Sequence, residues 1–150
     1  DSRIGAYGAL ALGLVLLARA SLLMALLELP HWHTIILITG AAAFSRSLMV
    51  DLLWATRPAR PNGLSVAAGR PSRNTALFAL GFGGLIAGIG AGIVISPEAG
   101  VGALIAGGVM LALIRNLAMR KIGGQTGDVC GAAQVLSELA MLATYAAAIG

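Results

Sequence analysis

Five long apolar runs, separated by connections that hold most of the charge, dictate what this chain can become. Taking about 20 residues as the length needed to cross a bilayer, the runs fall at about Ala6–Leu27, Thr34–Ala55, Thr75–Ile95, Ala99–Ile114 and Val129–Gly150. The fourth extends to Met119 if Arg115 reaches back to the interface. Pro30 stops the first run, and Ser96-Pro97-Glu98 separates the third from the fourth. A soluble fold of 150 residues with 58% hydrophobic and 11% charged residues has no way to hide that much apolar surface. The expected fold is therefore all-α: a single, polytopic transmembrane helix bundle of about five spanning helices, with the lipid bilayer as its solvent.

Charge sorts the connections. Arg3, Arg57, Arg60, Arg70, Arg73, Arg115, Arg120 and Lys121 all fall at or near the start of the first run, after the second, or after the fourth. The turns Glu28–His33 and Ser96–Glu98 contain no Lys or Arg. This is the positive-inside pattern, so the basic ends are expected on the cytoplasmic side. The net charge of +4 is thereby a topology signal, and nucleic acid is not an expected partner. Cys130, the single cysteine, excludes an intrachain disulfide. The chain opens on Asp1 without an initiator Met and is expected to be part of something longer.

Small residues mark helix contacts. Gly84, Gly88 and Gly92 share one helix face, and Ala79, Gly83, Ala87 and Ala91 form a second stripe. Backbones can approach closely there, within the bundle or in a homo-oligomer. A glycine-lined substrate path is the alternative.

Charges within the runs need partners, because each is costly near a helix centre. Arg19, Arg46, Asp51 and Glu138 qualify. Arg46 and Asp51 are about 140° apart round one helix, which disfavours a pair. Arg46 and Glu138 lie at similar depths, about 13 Å and 15 Å from the basic ends, and are expected to pair.

The most informative stretch is Arg120-Lys121-Ile122-Gly123-Gly124-Gln125-Thr126-Gly127-Asp128. Its glycines permit tight turns and close approach to a ligand. Arg120 and Lys121 supply positive charge, Gln125 and Thr126 hydrogen bonds, and the following helix an N-terminus that favours anions. It is neither a Walker A loop nor a dinucleotide fingerprint. Asp128 as a plain helix cap is the alternative. The basic loop from Arg57 through Arg60 to Gly63 serves as an orientation signal, a phosphate clamp, or both. Asp1 can bind a divalent cation, though one carboxylate is a weak site. His31 and His33, beside Pro30 and Trp32, read as an interfacial turn rather than a metal site.

At these stretches the chain resembles the cobalamin synthase family, adenosylcobinamide-GDP ribazoletransferases. Asp1-Ser2-Arg3-Ile4-Gly5-Ala6-Tyr7-Gly8 is similar to the family's Asp-Ser-Arg-x-Gly start of a membrane helix, and Ser45-Arg46 to a Ser-Arg pair in the next helix. Gly63-Leu64 falls in the following loop, and Gly123 to Asp128, continuing through Gly131 to Glu138, resembles the family's C-terminal signature. The resemblance implies a bacterial inner-membrane transferase with its active side cytoplasmic. Such an enzyme joins adenosylcobinamide-GDP to α-ribazole or its 5′-phosphate, with release of GMP and a requirement for Mg²⁺. It further implies catalytic roles for Asp1, Arg46, Asp128 and Glu138, with Asp1 a candidate metal ligand. Arg3, Arg60, Arg120, Lys121, Gly124, Gln125, Thr126 and Gly127 are the candidate substrate contacts. The family's acidic metal-binding motif, expected upstream of Asp1, is absent from this sequence. Different-class alternatives are a transporter subunit that binds an anion at its helix ends and a related lipid-type phosphotransferase. Residues 1–150 alone are expected to show no turnover; GMP release by this chain in a reconstituted assay contradicts that expectation.

Overall fold

A computed structural model describes residues 5–60 and 69–150. Asp1, Arg3 and the Gly63-Leu64 pair therefore lie outside the described residues. Five helices follow one another: α1 (Ala6–Leu26), α2 (His31–Ala55), α3 (Arg73–Val94), α4 (Pro97–Ile122) and α5 (Gly127–Ile149). Each is long and apolar enough to cross a membrane.

The boundaries follow local chemistry. Pro30 precedes α2, so His31 and His33 lie in its first turn rather than in a separate connection. Thr34 Oγ1 donates to the Leu26 carbonyl at 2.7 Å, tying the start of α2 to the end of α1. Ser96 caps α4 by accepting from Ala99 N–H, with Pro97 in the first turn, where its missing N–H costs nothing. α4 continues past Arg115 to Ile122 and ends only at Gly123, which adopts φ +71°.

α2 is the central helix, packed against α3, α4 and α5, while α1 rests on α5. Leu37, Ala41, Phe44, Leu48 and Leu52 of α2 meet Met141, Leu142 and Tyr145 of α5 in the core. Outward faces are apolar as well. Phe78, Phe82, Leu85, Ile89 and Ile93 line the outside of α3, with Ile93 77% exposed. Val101, Ile105, Val109, Leu113 and Leu117 recur every fourth residue on α4. A water-soluble bundle would place charge there; hydrocarbon accepts these side chains without loss.

Both small-residue stripes of α3 are used within the chain. Gly83, Ala87 and Ala91 are buried, and a Cβ on Gly83 would run into Ser47 Oγ of α2. Gly84 faces the Phe44 ring, Gly88 faces Leu104, and Gly92 faces Pro97. The backbones nearly touch at two places. A Cβ on Gly40 would lie 2.9 Å from Ala87 Cα, and one on Gly100 would lie 2.7 Å from the Gly88 carbonyl oxygen. Backbone atoms cannot yield as a flexible side chain can, so these crossings tolerate only glycine.

Gly40→Ala is accordingly expected to destabilise the bundle by about 1–3 kcal/mol, as overpacking does. Gly108→Ala, where nothing lies within 4 Å of the added methyl, is expected to be neutral or stabilising by about 0.5–1 kcal/mol. Thermal unfolding in detergent compares the two directly.

Candidate functional site

The ends of α2 and α4 and the start of α5 meet on one face of the bundle. At the end of α2, Thr56 turns its hydroxyl back to the Leu52 carbonyl at 2.6 Å, and the chain runs on through Arg57-Pro58-Ala59. At the end of α4, Gly123 reverses the chain in the left-handed region that glycine enters without strain, its N–H reaching Ala118 O at 3.1 Å. Gly124 and Gln125 then run parallel to the first segment. Gln125 N–H donates to Arg57 O at 2.9 Å, and Ala59 N–H donates to Gln125 O at 2.8 Å. Arg57 Nε adds a bond to Gly123 O at 3.2 Å. A Cβ on Gly124 would collide with the Arg57 carbonyl and lie 3.0 Å from Ala59 N. The glycine's close approach is thus to another loop's backbone.

Gln125 is 1% exposed, and its side-chain oxygen faces Cys130 Sγ at 3.6 Å. Gly124 and Gln125, read in the sequence as substrate contacts, are occupied with holding the two loops together. Thr126 Oγ1 accepts from Val129 N–H, and so performs the capping that the sequence offered to Asp128. Gly127 opens α5. Asp128 is left exposed in the first turn, with no hydrogen bond or ion pair among the described residues.

Two grooves meet at Asp128. One, about 510 Å³, lies between α4 and α5 and is lined by Leu117, Lys121, Ile122, Val129 and Leu136. The other, about 670 Å³, lies between α1 and α5 and is lined by Gly8, Ala11, Val15, Gly131 and Val135. Among the basic residues at this end, Arg57 and Arg70 are spent on backbone, Arg70 Nε donating to Trp54 O at 2.9 Å. Arg60, Arg120 and Lys121 are exposed and make no such bond among the described residues. The structural roles of Arg57 and Arg70 had no sequence signal beyond their charge.

The intramembrane charges pair differently from expectation. Glu138 binds Arg19 of α1, at 2.6 Å, instead of Arg46. Similar depth is not sufficient; direction round the helix decides. Arg46 points from the exposed side of α2 and donates to Ala42 O of its own helix at 2.8 Å. Glu138 is 3% exposed, with Gln134 Nε2 3.5 Å from its second oxygen. Ten residues of helix, about 15 Å, separate Glu138 from Asp128. The structure therefore joins Asp128, Lys121, Arg120 and Arg60 at one end and leaves Arg46 and Glu138 within the spans.

The sequence profile of cobalamin-5-phosphate synthase matches residues 1–146. The chain belongs to that family. Among relatives of the family, proteins named adenosylcobinamide-GDP ribazoletransferase are similar to it throughout. The one from Azorhizobium caulinodans is 45% identical, over 95% of this chain and 54% of the relative. The one from a Sinorhizobium species is 42% identical, over 97% of this chain and 56% of the relative. The chain spans about half the length of these curated relatives. No solved structure matches it.

In this member of the cobalamin-5-phosphate synthase family, Gly124→Ala is expected to force the two loops apart. Hydrogen exchange at the Ala59 and Gln125 amides should accelerate by at least an order of magnitude, about the effect of losing 1.4 kcal/mol of local stability. Unchanged protection contradicts the close approach.

Proposed function

We propose that the full-length protein joins adenosylcobinamide-GDP to α-ribazole or its 5′-phosphate, releasing GMP, from the cytoplasmic side of the bacterial inner membrane. The observation that carries this reading is Asp128, a carboxylate with no partner among the described residues, sharing a groove with Lys121 on the face where the ends of α2 and α4 meet the start of α5. Family membership and the names of the relatives support the substrates. Soluble nucleotides and the positive-inside pattern both favour the cytoplasmic side.

The reaction is attack by a ribose hydroxyl oxygen on the cobinamide-bearing phosphorus. A new P–O bond forms as the P–O bond to GMP breaks, GMP leaves with that bond's electron pair, and the hydroxyl proton passes to water. Such transfers depend chiefly on positioning and charge. Arg60, Arg120 and Lys121 are suited to neutralise the pyrophosphate. Asp128 is suited to accept the hydrogen bond of the attacking hydroxyl and orient it. Gly124 and Gln125 act at one remove, by fixing where Arg60 and Asp128 stand. Arg46 and Glu138 sit too far down the spans to join Asp128 at one reacting atom.

Magnesium belongs to the proposal as a requirement of the full-length protein only. Among the described residues, no three His, Cys, Asp or Glu side chains come together to hold a metal ion. The acidic ligands implied by the resemblance would lie outside residues 1–150, with Asp1 as a possible addition, so no step is assigned to the metal.

In the full-length protein, Asp128→Asn is expected to lower GMP release by about 10²-fold, the scale of losing a contact that positions a reacting group. Thermal stability should hardly change, because Thr126 supplies the cap. Full activity in that variant returns Asp128 to the role of a surface residue.

A further inference from the structure

Arg19 is only partly satisfied. It stands thirteen residues into α1, about 20 Å from the first residue and about 10 Å from Leu26. Glu138 stands eleven residues into α5, about 16 Å from its start. Both lie at hydrocarbon depth, and the 2.6 Å pair prevents Arg19 from bending away to an interface. A guanidinium carries five N–H donors. Among the described residues Arg19 uses one hydrogen bond, and 38% of its side chain remains exposed. Its remaining donors thus face a region where water is scarce and lipid tails offer no acceptor.

The helix around it is also uncovered. Leu26 is the one buried residue of α1, and nothing lies within 4 Å of a Cβ on Gly5 or Gly13. Ala9, Gly13, Leu16 and Ala20 lie to one side of Arg19, within about 60–120° round the axis. Small residues beside a charged one make a surface on which another helix can approach closely and reach the charge. The relatives, moreover, are nearly twice as long as the chain that matches them.

We propose that this flank of α1 receives a transmembrane helix from the part of the same polypeptide outside residues 1–150. That helix would carry a carboxylate or amide oxygen at the depth of Arg19. Its oxygen completes a network with Arg19, Glu138 and Gln134, and its backbone closes on Ala9, Gly13 and Ala20. The inference is independent of the reaction proposed above, because Arg19 and Glu138 take no part in that chemistry.

The test uses full-length protein in bilayers, with p-benzoylphenylalanine replacing Leu16, which is 58% exposed in residues 1–150. Photolysis is expected to give an intrachain cross-link to a peptide outside residues 1–150, located by mass spectrometry. The same probe at Phe82, on the outward face of α3, should label lipid. Cross-links from Leu16 to lipid alone, or to a second copy in a mixture of two tagged versions, overturn the proposal. Should the bulky probe prevent folding, a spin label at Ala20→Cys reads the same surface. Its oxygen collision rate should shift from the lipid-exposed value found at Phe82→Cys to a buried value. A rate equal to that at Phe82 overturns the proposal.

Discussion

Two backbone hydrogen bonds, from Gln125 N–H to Arg57 O and from Ala59 N–H to Gln125 O, join loops that are otherwise far apart in the chain. Without them, the loops that follow α2 and α4 would be tied only by the Arg57–Gly123 bond and by the helix packing behind them. With them, Arg60 and the start of α5 belong to one surface, and the position of Asp128 is set by covalent continuity from Gln125. The bridge needs glycine at 124, because any side chain there meets the Arg57 carbonyl. It also uses Arg57 as a strut onto Gly123 O, so part of the positive charge at this end supports the loops.

Below that surface, lipid sets the rules. Three hydroxyl groups within the spans satisfy themselves on their own helices: Ser47 on Ala43 O, Ser45 on Ala42 O and Thr144 on Ala140 O. Ser137 instead reaches across to Gly107 O of α4. Glycine contacts replace the hydrophobic drive that water would supply, with Gly40 and Gly100 letting backbones meet. The Arg19–Glu138 pair is the strongest polar tie between α1 and the other helices, consistent with the small area that α1 otherwise buries.

The helices were legible in the sequence because hydrophobicity over about 20 residues is a coarse signal that tertiary contacts do not override. Their ends were less so. α2 begins at His31 and α4 runs to Ile122 because local caps, not hydropathy, set those limits. The Gly123–Asp128 run was legible as a special loop but not in its workings. A Gly-Gly pair announces close approach without naming what approaches, and here it is Arg57–Ala59. The Arg46–Glu138 expectation failed because depth can be counted along a sequence, whereas the direction in which two helices face each other cannot. Arg19 lay at a comparable level and faced the right way.

The most direct measurement is a pair of distances by double electron–electron resonance in full-length protein reconstituted in bilayers. Spin labels at Arg60 and Asp128 should give one narrow, short distance. Labels at Arg60 and Glu98 should be separated by roughly the 30 Å thickness of the hydrocarbon core or more. An Arg60–Asp128 distance as long as the Arg60–Glu98 distance would contradict the joining of the two loops, and with it the common face on which the proposed chemistry rests.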